Sequence, residues 1–257
     1  MNIQKGTRVL VTAGASGIGR SIVGGLHRAG AMVHVCDISD VQRDNLVKEL
    51  PGIGFTQADV ALPSDVNQLF QDLTSRLGGL DVLINNAGIA GPTAAVENVS
   101  PEEWSRTLAV NITGQFLCVR MAVPMLKKAG GGSIVNISSV AGRLGYPMRT
   151  PYAASKWAVV GFTQSLAMEL GVDKIRVNAL LPGMVEGERI RSVIRARAAT
   201  EGESYETMEN EFLRGRSLRQ MTTAMEIANM VLFLCSDAGQ SISGQAISVC
   251  GNTERLV

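Results

Sequence analysis

The feature that most constrains this chain is a strand-like run near the N-terminus that ends abruptly in a glycine-rich turn. Arg8–Thr12 is a short β-branched run, and Ala-Gly-Ala-Ser-Gly-Ile-Gly follows it directly over residues 13–19. A segment with helical periodicity comes next, and a second apolar run over residues 31–36 is closed by Asp37. A strand, a glycine turn, a helix, a strand and an acidic residue in this order predict a βαβ unit.

The glycine turn has the chemistry of a loop that holds a dinucleotide. Glycines let the backbone approach a pyrophosphate, and the free N–H groups at the start of the next helix can bind its oxygens. Asp37 lies 18 residues after Gly19, where its carboxylate would accept hydrogen bonds from the adenosine ribose hydroxyls. It would also repel a 2′-phosphate, and no Arg or Lys stands at Ala15, Ser16 or Ile38 to offset that charge. The pattern therefore favours NAD over NADP.

Strands and helices continue to alternate to the end of the chain. Further strands are predicted at residues 54–58, 80–84, 133–137, 175–181 and 245–249. Helices are predicted at 40–50, 64–77 with Ser64 as its cap, 100–128 with Ser100 as its cap, 151–170, 187–220 and 223–236. The expected fold class is α/β: one Rossmann-like domain over residues 1–257, with a doubly wound parallel sheet of about seven strands and helices on both faces.

Polar residues follow the predicted strands at the points where those strands end. The sequence places Asp37, Asp59, Asn85–Asn86, Ser138–Ser139 and Pro182–Gly183 at these points. Ligands of a doubly wound sheet bind beyond the carboxyl ends of its strands. We therefore expect these residues to meet at one edge of the sheet and to form the functional site there.

A tyrosine and a lysine are four residues apart in Tyr152-Ala-Ala-Ser-Lys156, which begins the helix after the fifth strand. On a helix the two side chains share one face. A free phenol has a pKa of about 10, and a nearby ammonium favours its phenolate form. Such a pair suits proton transfer to or from a substrate oxygen near neutral pH. Alone, so short a pattern also fits an ordinary helix, so its meaning depends on the other motifs.

Taken together, the motifs resemble the classical short-chain dehydrogenase/reductase family over essentially the whole chain. The matching segments are Thr12–Gly19, Asp37, Asp59-Val60, Asn85-Asn86-Ala87-Gly88, Asn111, Ser139, Tyr152-x-x-x-Lys156 and Pro182-Gly183. The catalytic serine of the family lies 13 residues before its tyrosine, which selects Ser139 over Ser138. Several motifs in the right order are far more specific than any one of them.

The resemblance implies an enzyme that transfers a hydride between NAD and a secondary alcohol or ketone. It implies Tyr152 as the general acid/base, Ser139 as the group that holds the reacting oxygen, and Lys156 as the cation that lowers the Tyr152 pKa and binds the nicotinamide ribose. Asn111 would keep a water-mediated proton path to Lys156, and Asp59 would contact adenine. The implied cofactor-binding residues are Gly14, Ser16, Gly17, Ile18, Gly19, Asp37, Asp59, Val60, Asn86, Ala87, Gly88, Tyr152, Lys156, Pro182, Gly183 and Val185.

The chain departs from the family pattern at two positions. The family usually has Gly directly after the first-strand Thr, where this chain has Ala13. One methyl group is expected to be tolerated there, with a tighter fit at the phosphates. The family also often has Thr five residues after the Pro of Pro-Gly, and here that position is Gly187. Another group, such as the Val185 backbone, must then hold the nicotinamide carboxamide.

By resemblance, residues 187–220 form the substrate lid. We favour a structural interpretation of this charged segment, as a solvated helix with paired charges. Its pairs would join Arg189, Arg191, Arg195 and Arg197 to Glu186, Glu188, Glu201 and Glu203. The alternative is that the same arginines bind a substrate anion. Arg143 and Arg149, close to Tyr152, are consistent with an anionic substrate. The low aromatic content of 4% and the arginines favour a small polar substrate: a sugar, sugar acid, polyol or hydroxy acid.

Two other functions compete with this interpretation. One is a 3-oxoacyl-carrier-protein reductase, which performs the same chemistry; Asp37 argues against it because those relatives usually take NADP. The other is a non-catalytic, NAD-sensing binding protein. The presence of all four implied catalytic residues argues against this second alternative.

Composition and charge limit the partners that we expect. The net charge of +1, without long runs of like charge, indicates neither nucleic acid nor membrane as a partner. The four cysteines are scattered, so buried free thiols and no metal site are expected. The first residues do not resemble a signal peptide and no membrane span is expected, so we expect a cytoplasmic enzyme.

The family resemblance also implies an assembly. A homotetramer (or homodimer) would form through the helices at about 101–128 and 151–170. Trp157, Val160 and Phe162 are the plausible contact residues on the second helix. The alternative for these three side chains is burial within the subunit.

Overall fold

A computed structural model describes residues 3–256 of the chain, so the expectation about an N-terminal leader rests partly on residues outside this range. The strands are β1 Arg8–Thr12, β2 Met32–Asp37, β3 Gly54–Gln57, β4 Val82–Asn85, β5 Gly132–Ile137, β6 Ile175–Pro182 and β7 Ala246–Val249. They form one parallel sheet in the order β3-β2-β1-β4-β5-β6-β7. The strand order reverses between β1 and β4, which is where such sheets bind ligands.

Helices bury one apolar core on each face of the sheet, and the last three helices before β7 include two that bury a third, smaller apolar cluster. They are α1 Gly17–Arg28, α2 Asp40–Glu49, α3 Pro63–Leu77, α4 Pro101–Leu108, α5 Gly114–Ala129, α6 Thr150–Leu170, α7 Glu188–Glu201, α8 Tyr205–Arg214 and α9 Ala224–Cys235. One core joins α1, α2 and α9 to the sheet, and the other joins α3, α5 and α6 to it. The predicted α/β class, with one doubly wound parallel sheet of seven strands, is confirmed.

Two details of the predicted helices were wrong. The third helix begins at Pro63 with Leu62 at its cap position, because proline is favoured at the first helical position; Ser64 therefore lies inside the helix. The segment 187–220 is two helices, α7 and α8, because Gly202 ends α7 in a left-handed conformation (φ 71°) and Ser204 caps α8. The Ser100 cap is confirmed, and Glu103 completes a capping box with it.

The predicted helix 100–128 is α4 and α5 joined by one π turn, Ala109–Thr113. Helix Pro101–Ala129 is long and apolar enough to cross a membrane by length and composition alone. In this fold, Cys118, Ala122 and Leu126 on it are fully buried in the core on one face of the sheet. All four cysteines are free, and Cys36, Cys118 and Cys250 are buried.

A chain of buried hydrogen bonds links the central strands to α6. The Asn85 side-chain amide donates to Asn136 Oδ1 (2.9 Å), and the Asn136 amide donates to Thr163 Oγ1 (3.0 Å). The three side chains are at most 1% exposed. A buried polar group that loses its partner costs about 1–3 kcal/mol.

Asn136→Ala should therefore lower the free energy of unfolding by about 2–4 kcal/mol, because it leaves one donor and one acceptor without a partner. Urea unfolding followed by circular dichroism measures this change. Asn98→Ala is the matched control: Asn98 is exposed, and its removal should change stability by less than about 0.5 kcal/mol. Equal stability of the two variants would show that the buried chain of bonds contributes nothing.

Candidate active site

One cavity of about 380 Å³ opens at the carboxyl edge of the sheet. Of the residues predicted from the sequence, twelve line it: Ser16, Gly17, Ile18, Gly19, Asn86, Gly88, Ser139, Tyr152, Lys156, Pro182, Gly183 and Val185. Gly14, Asp37, Asp59, Val60, Ala87 and Asn111 lie outside its wall. Most of the polar strand ends therefore converge on one cavity as the sequence predicted, whereas these six residues do not line it.

The glycine turn fits a phosphate-binding loop. A Cβ atom on Gly19 would lie 2.1 Å from the carbonyl oxygen of Ala13, so only glycine allows this approach. Ser16, at the cap position of α1, makes no capping hydrogen bond with its side chain, so that side chain does not occupy the N–H groups that begin the helix. Gly17, Ile18 and Gly19 carry these groups and line the cavity, where an anion would be stabilised.

Ala13 adopts the left-handed conformation (φ 49°) that a glycine would adopt freely. For an L-residue this costs about 1–2 kcal/mol. The turn is fixed by its neighbour: the Asn86 amide donates to the carbonyl oxygens of Thr12 and Ala13, both at 3.0 Å. The Thr12 hydroxyl in turn accepts from the Asn86 and Ala87 N–H groups at 2.9 Å. The turn therefore accommodates the methyl group of Ala13 at the cost of this local strain.

Asp37 ends β2 and Asp59 follows β3, and neither residue lines the cavity. The Asp37 carboxylate is 9% exposed and accepts from the backbone N–H groups of Ala15 (3.2 Å) and Ser39 (3.3 Å). In the part of the chain that the structure describes, it forms no ion pair. Asp59 is instead paired with Arg106 (2.8 Å), a contact that the sequence pattern did not predict.

Tyr152 and Lys156 lie on the first turns of α6, as predicted. The Lys156 ammonium is 5.7 Å from the centroid of the Tyr152 ring and donates to the Ile137 carbonyl at 3.0 Å. Burial, and secondarily the charge of Arg189, lowers the pKa of Lys156 to about 7. The lysine is thus held in place by the end of β5 and is easily deprotonated for a lysine.

The two serines after β5 have different partners. The Ser138 hydroxyl donates to the Lys156 carbonyl at 2.8 Å and so ties α6 to the sheet. Ser139 accepts from the Ala141 N–H at 3.2 Å. Both serines line the cavity, so the choice of Ser139 as the residue that faces a substrate stays a prediction.

Asn111 lies in the π turn and is fully buried. Its side chain exchanges hydrogen bonds with the backbone of Ile89 (2.7 and 3.0 Å) and donates to Ser155 Oγ (3.0 Å). Ser155 in turn donates to the Tyr152 carbonyl at 2.7 Å. Asn111 therefore joins the loop after β4 to the helix that carries the Tyr–Lys pair.

The lid arginines do not behave alike. Arg195 pairs with Glu188 on an exposed face, as expected, and Arg197 pairs with Glu201 (2.7 Å) although the Arg197 side chain is largely buried. Arg189 instead donates to the Gly88 carbonyl and lines the cavity. Among residues 3–256, Arg191, Glu186 and Glu203 take part in no ion pair. Only two of the four arginines therefore form ion pairs of the predicted kind.

Sequence reasoning missed part of the cavity wall. Arg216 is 2% exposed and donates to Cys250 O and Thr222 Oγ1, both at 2.9 Å. It supports the last residues, of which 253 and 255–256 line the cavity. These final residues have no periodicity or motif, so no sequence signal indicated them.

From the sequence, Arg143 and Arg149 were both expected close to Tyr152, but the structure places them in different environments. Arg143 is exposed and donates to Ala246 O at 2.7 Å. Arg149 is 3% exposed and lines the cavity beside Tyr152. Only the second therefore belongs to the site.

A doubly wound sheet with this glycine turn, and with a Ser–Tyr–Lys set at the same edge, defines a nicotinamide-dinucleotide-binding oxidoreductase. A family described as enoyl-(acyl carrier protein) reductase matches residues 12–251. The chain belongs to the classical short-chain dehydrogenase/reductase family.

The relatives span nearly the whole chain. A 3-oxoacyl-(acyl-carrier-protein) reductase of Thermotoga maritima is 36% identical over 96% of this chain and 97% of its own. A D-β-hydroxybutyrate dehydrogenase of Rhizobium meliloti is 31% identical over 94% and 96%. A variant of the actinorhodin polyketide ketoreductase, solved with NADPH, superposes with a TM-score of 0.93 at 32% identity, covering 99% of both chains. The relatives act on hydroxy or keto groups, which makes this chain an oxidoreductase of that broad kind.

Proposed function

We propose that this chain is an NAD-dependent oxidoreductase that transfers a hydride between nicotinamide and a secondary alcohol or ketone of a small polar substrate. The observation that carries the proposal is the placement of Ser139, Tyr152 and Lys156 on one cavity at the sheet edge. Sugars, sugar acids, polyols and hydroxy acids are the candidate substrates. The proposal agrees with relatives named for hydroxybutyrate and galactose.

In this proposal the chain's own residues place the substrate and move one proton. When bound, the nicotinamide cofactor accepts or supplies the hydride. Ser139 donates a hydrogen bond to the reacting oxygen and holds it next to the phenol of Tyr152. Tyr152 takes the proton from the alcohol, or returns it to the ketone oxygen. Lys156 stabilises the phenolate by its charge and binds the ribose of the cofactor.

The cofactor would be held by the residues that converge on the glycine turn. Ser16 to Gly19 offer N–H groups to the pyrophosphate, and Asp37 accepts hydrogen bonds from the adenosine ribose. Asn86 and Gly88 line the adenosine side, and Val185 offers its backbone to the carboxamide in place of the missing threonine at Gly187. Asp59 would contact adenine beside Arg106.

The test is a panel of hydroxy acids, polyols and sugars assayed with NAD and with NADP, followed by the absorbance of the reduced nicotinamide. Turnover with NAD on at least one polar alcohol is expected. Binding of NAD without turnover on any substrate would instead support the non-catalytic NAD-sensing alternative. Turnover confined to oxoacyl thioesters with NADPH would support the 3-oxoacyl-carrier-protein reductase, an alternative favoured by the 36% identical relative.

Asp37→Asn should reduce the preference for NAD over NADP, measured as the ratio of kcat/KM values, by about 10- to 100-fold. The carboxylate would repel a 2′-phosphate, and loss of a like-charge contact of a few kcal/mol changes affinity by this much. Asp40→Asn is the control, because Asp40 is exposed on the neighbouring α2. A wild-type enzyme that prefers NADP, or a ratio that Asp37→Asn does not move, contradicts the assignment of NAD.

We also propose a cytoplasmic homotetramer (or homodimer) built on α5 and α6. Phe116 on α5 is 46% exposed, and Trp157 and Met168 on α6 are 50% and 86% exposed. Phe162, one of the contact residues expected from the sequence, is partly buried and packs on the subunit's own core. The proposed contact therefore centres on Trp157.

A further inference from the structure

Arg149 carries a buried positive charge that has no anionic partner within the described residues 3–256. It lies three residues before Tyr152, lines the cavity and is 3% exposed. Among the described residues, its only side-chain hydrogen bond runs from Nη2 to the Ala90 carbonyl (2.6 Å). Its Nε and Nη1 atoms are buried and have no hydrogen-bond partner in that part of the chain. A buried charge of this kind is costly unless an opposite charge accompanies it.

Two aromatic rings hold the Arg149 guanidinium in place. Its Cζ atom lies 5.2 Å from the ring centroids of both Tyr146 and Tyr152. Cation–π contacts offset part of the lost hydration. They do not supply acceptors for the two free nitrogens, because a ring face replaces neither a carboxylate nor a carbonyl oxygen.

The backbone before Arg149 is strained in a way that positions this side chain. Met148 adopts a left-handed conformation (φ 61°), and its carbonyl accepts from the Ala94 N–H at 2.9 Å. The Arg149 N–H donates to the Tyr146 carbonyl at 3.3 Å. Strained residues persist where the surroundings over-determine them, and they concentrate at binding sites. The loop thus fixes Arg149 next to the first turn of α6.

The acidic side chains on the cavity wall do not pair with Arg149. Glu186 and Glu188 are the acids on its wall; both are exposed, and Glu188 is paired with Arg195. The same wall carries four further cationic residues, Lys156, Arg189, Arg216 and Arg255. The cavity wall as a whole therefore carries more positive than negative charge.

We propose that Arg149 binds the carboxylate of the substrate, so that the enzyme acts on a short-chain hydroxy acid or the matching oxo acid. The inference rests on the proposed function and narrows its substrate class. The planar guanidinium of Arg149, held between two rings, presents a fixed fork of donors that matches the two oxygens of a carboxylate. Because Arg149 lies on the Tyr152 ring, the carboxylate is only a few bonds from the reacting carbon.

The first experiment compares each acid with its neutral amide. The panel consists of 2- and 3-hydroxy acids of three to five carbons and the corresponding hydroxy amides, assayed on wild type and Arg149→Met. For the acids, kcat/KM should fall roughly 10- to 150-fold, the loss expected for a hydrogen bond to a charged group. For the amides, it should change less than about threefold. The difference between acids and amides isolates the charge contact, because an indirect effect on Tyr152 would lower kcat/KM equally for both kinds of substrate.

Two further variants complete this experiment. Arg149→Lys retains the charge and should recover part of the preference for acids, and thermal unfolding checks that each variant is folded. Arg143→Met removes the neighbouring exposed arginine and should leave the acid-to-amide ratio unchanged. An equal loss on acids and amides in Arg149→Met overturns the proposal. A wild-type preference for amides or for phosphorylated alcohols also overturns it.

The second experiment separates this site from the dehydrogenase activity. Calorimetric titration of the protein with butyrate, with butyramide as the uncharged probe, measures binding without turnover. Binding of butyrate that Arg149→Met abolishes supports the anion site even if no alcohol is oxidised, in which case the proposed function fails alone. Turnover of neutral alcohols with no binding of butyrate leaves the function in place and refutes the carboxylate site.

Discussion

Tyr152→Phe should lower kcat by about 10²- to 10⁴-fold, the range that a general acid or base contributes. The substitution removes the phenol oxygen that exchanges the proton but keeps the ring. The contacts of that ring with Tyr146 (centroids 6.4 Å apart) and with Arg149 (5.2 Å) should therefore survive. Because Tyr152 is also an implied cofactor-binding residue, the dissociation constant for NAD, measured by fluorescence titration, should rise by up to about tenfold, the loss expected for one hydrogen bond. The effect should thus fall mainly on the chemical step.

The matched control for this prediction is Tyr205→Phe. Tyr205 lies on the lid helix α8, where its hydroxyl contacts Glu209 at 3.0 Å, and it does not line the cavity. Removal of the Tyr205 hydroxyl should change kcat by less than about twofold from the wild-type value. If Tyr152→Phe retained more than about a tenth of wild-type turnover, proton transfer would have to be assigned to another group.

Lys156→Met should change activity and stability in opposite directions. The folded-state pKa of about 7 lies below the ordinary value of 10.5, so the unfolded chain binds more protons between these two values. Stability of the cofactor-free protein should therefore rise as the pH increases from about 7 to about 10.5, and the penalty of the buried charge is fully present below 7. Methionine removes that charge and should raise the free energy of unfolding at pH 7 by about 1–2 kcal/mol. Turnover should fall at least about 100-fold.

Urea unfolding of wild type and Lys156→Met at about pH 7 and about pH 9.5 measures this effect. The wild-type protein should be more stable at the higher pH, and the variant should have a flatter dependence. Lys48→Met is the control, because Lys48 is exposed on α2 and should show neither change. A variant that loses stability at pH 7 would indicate that the bond from Lys156 to Ile137 outweighs the cost of burial.

Most of the fold was predictable because its signals are local. Runs of apolar residues, glycines at element ends and caps such as Ser100 with Glu103 each lie within a few residues of the feature that they specify. The same holds for Ser139, Tyr152 and Lys156, which one helix and the adjacent strand end bring together. Where local signals competed, a prediction was wrong: Pro63 outweighed Ser64 as the start of α3, and Gly202 divided a segment of uniform helical character.

The remainder of the site depends on contacts between distant parts of the chain. Nothing near Arg149 in the sequence indicates that it is buried while Arg143 is exposed, because Ala90, from another loop, supplies the contact. The partner of Asp59 is Arg106, 47 residues away. The last residues reach the cavity only because Arg216 and the end of α8 support them. Such arrangements follow from the packed structure and have no periodic signature.

The π turn between α4 and α5 also limits how this chain can evolve. It holds one residue more than an α-helical turn, so the side chains that follow are rotated by about 100° relative to an uninterrupted helix. The same additional residue therefore determines the position of Asn111, inside the turn, and the direction of the exposed face of α5 that carries Phe116. Loss of one codon here would displace both at once. The number of residues in this segment, and not only their identity, therefore fixes the position of both.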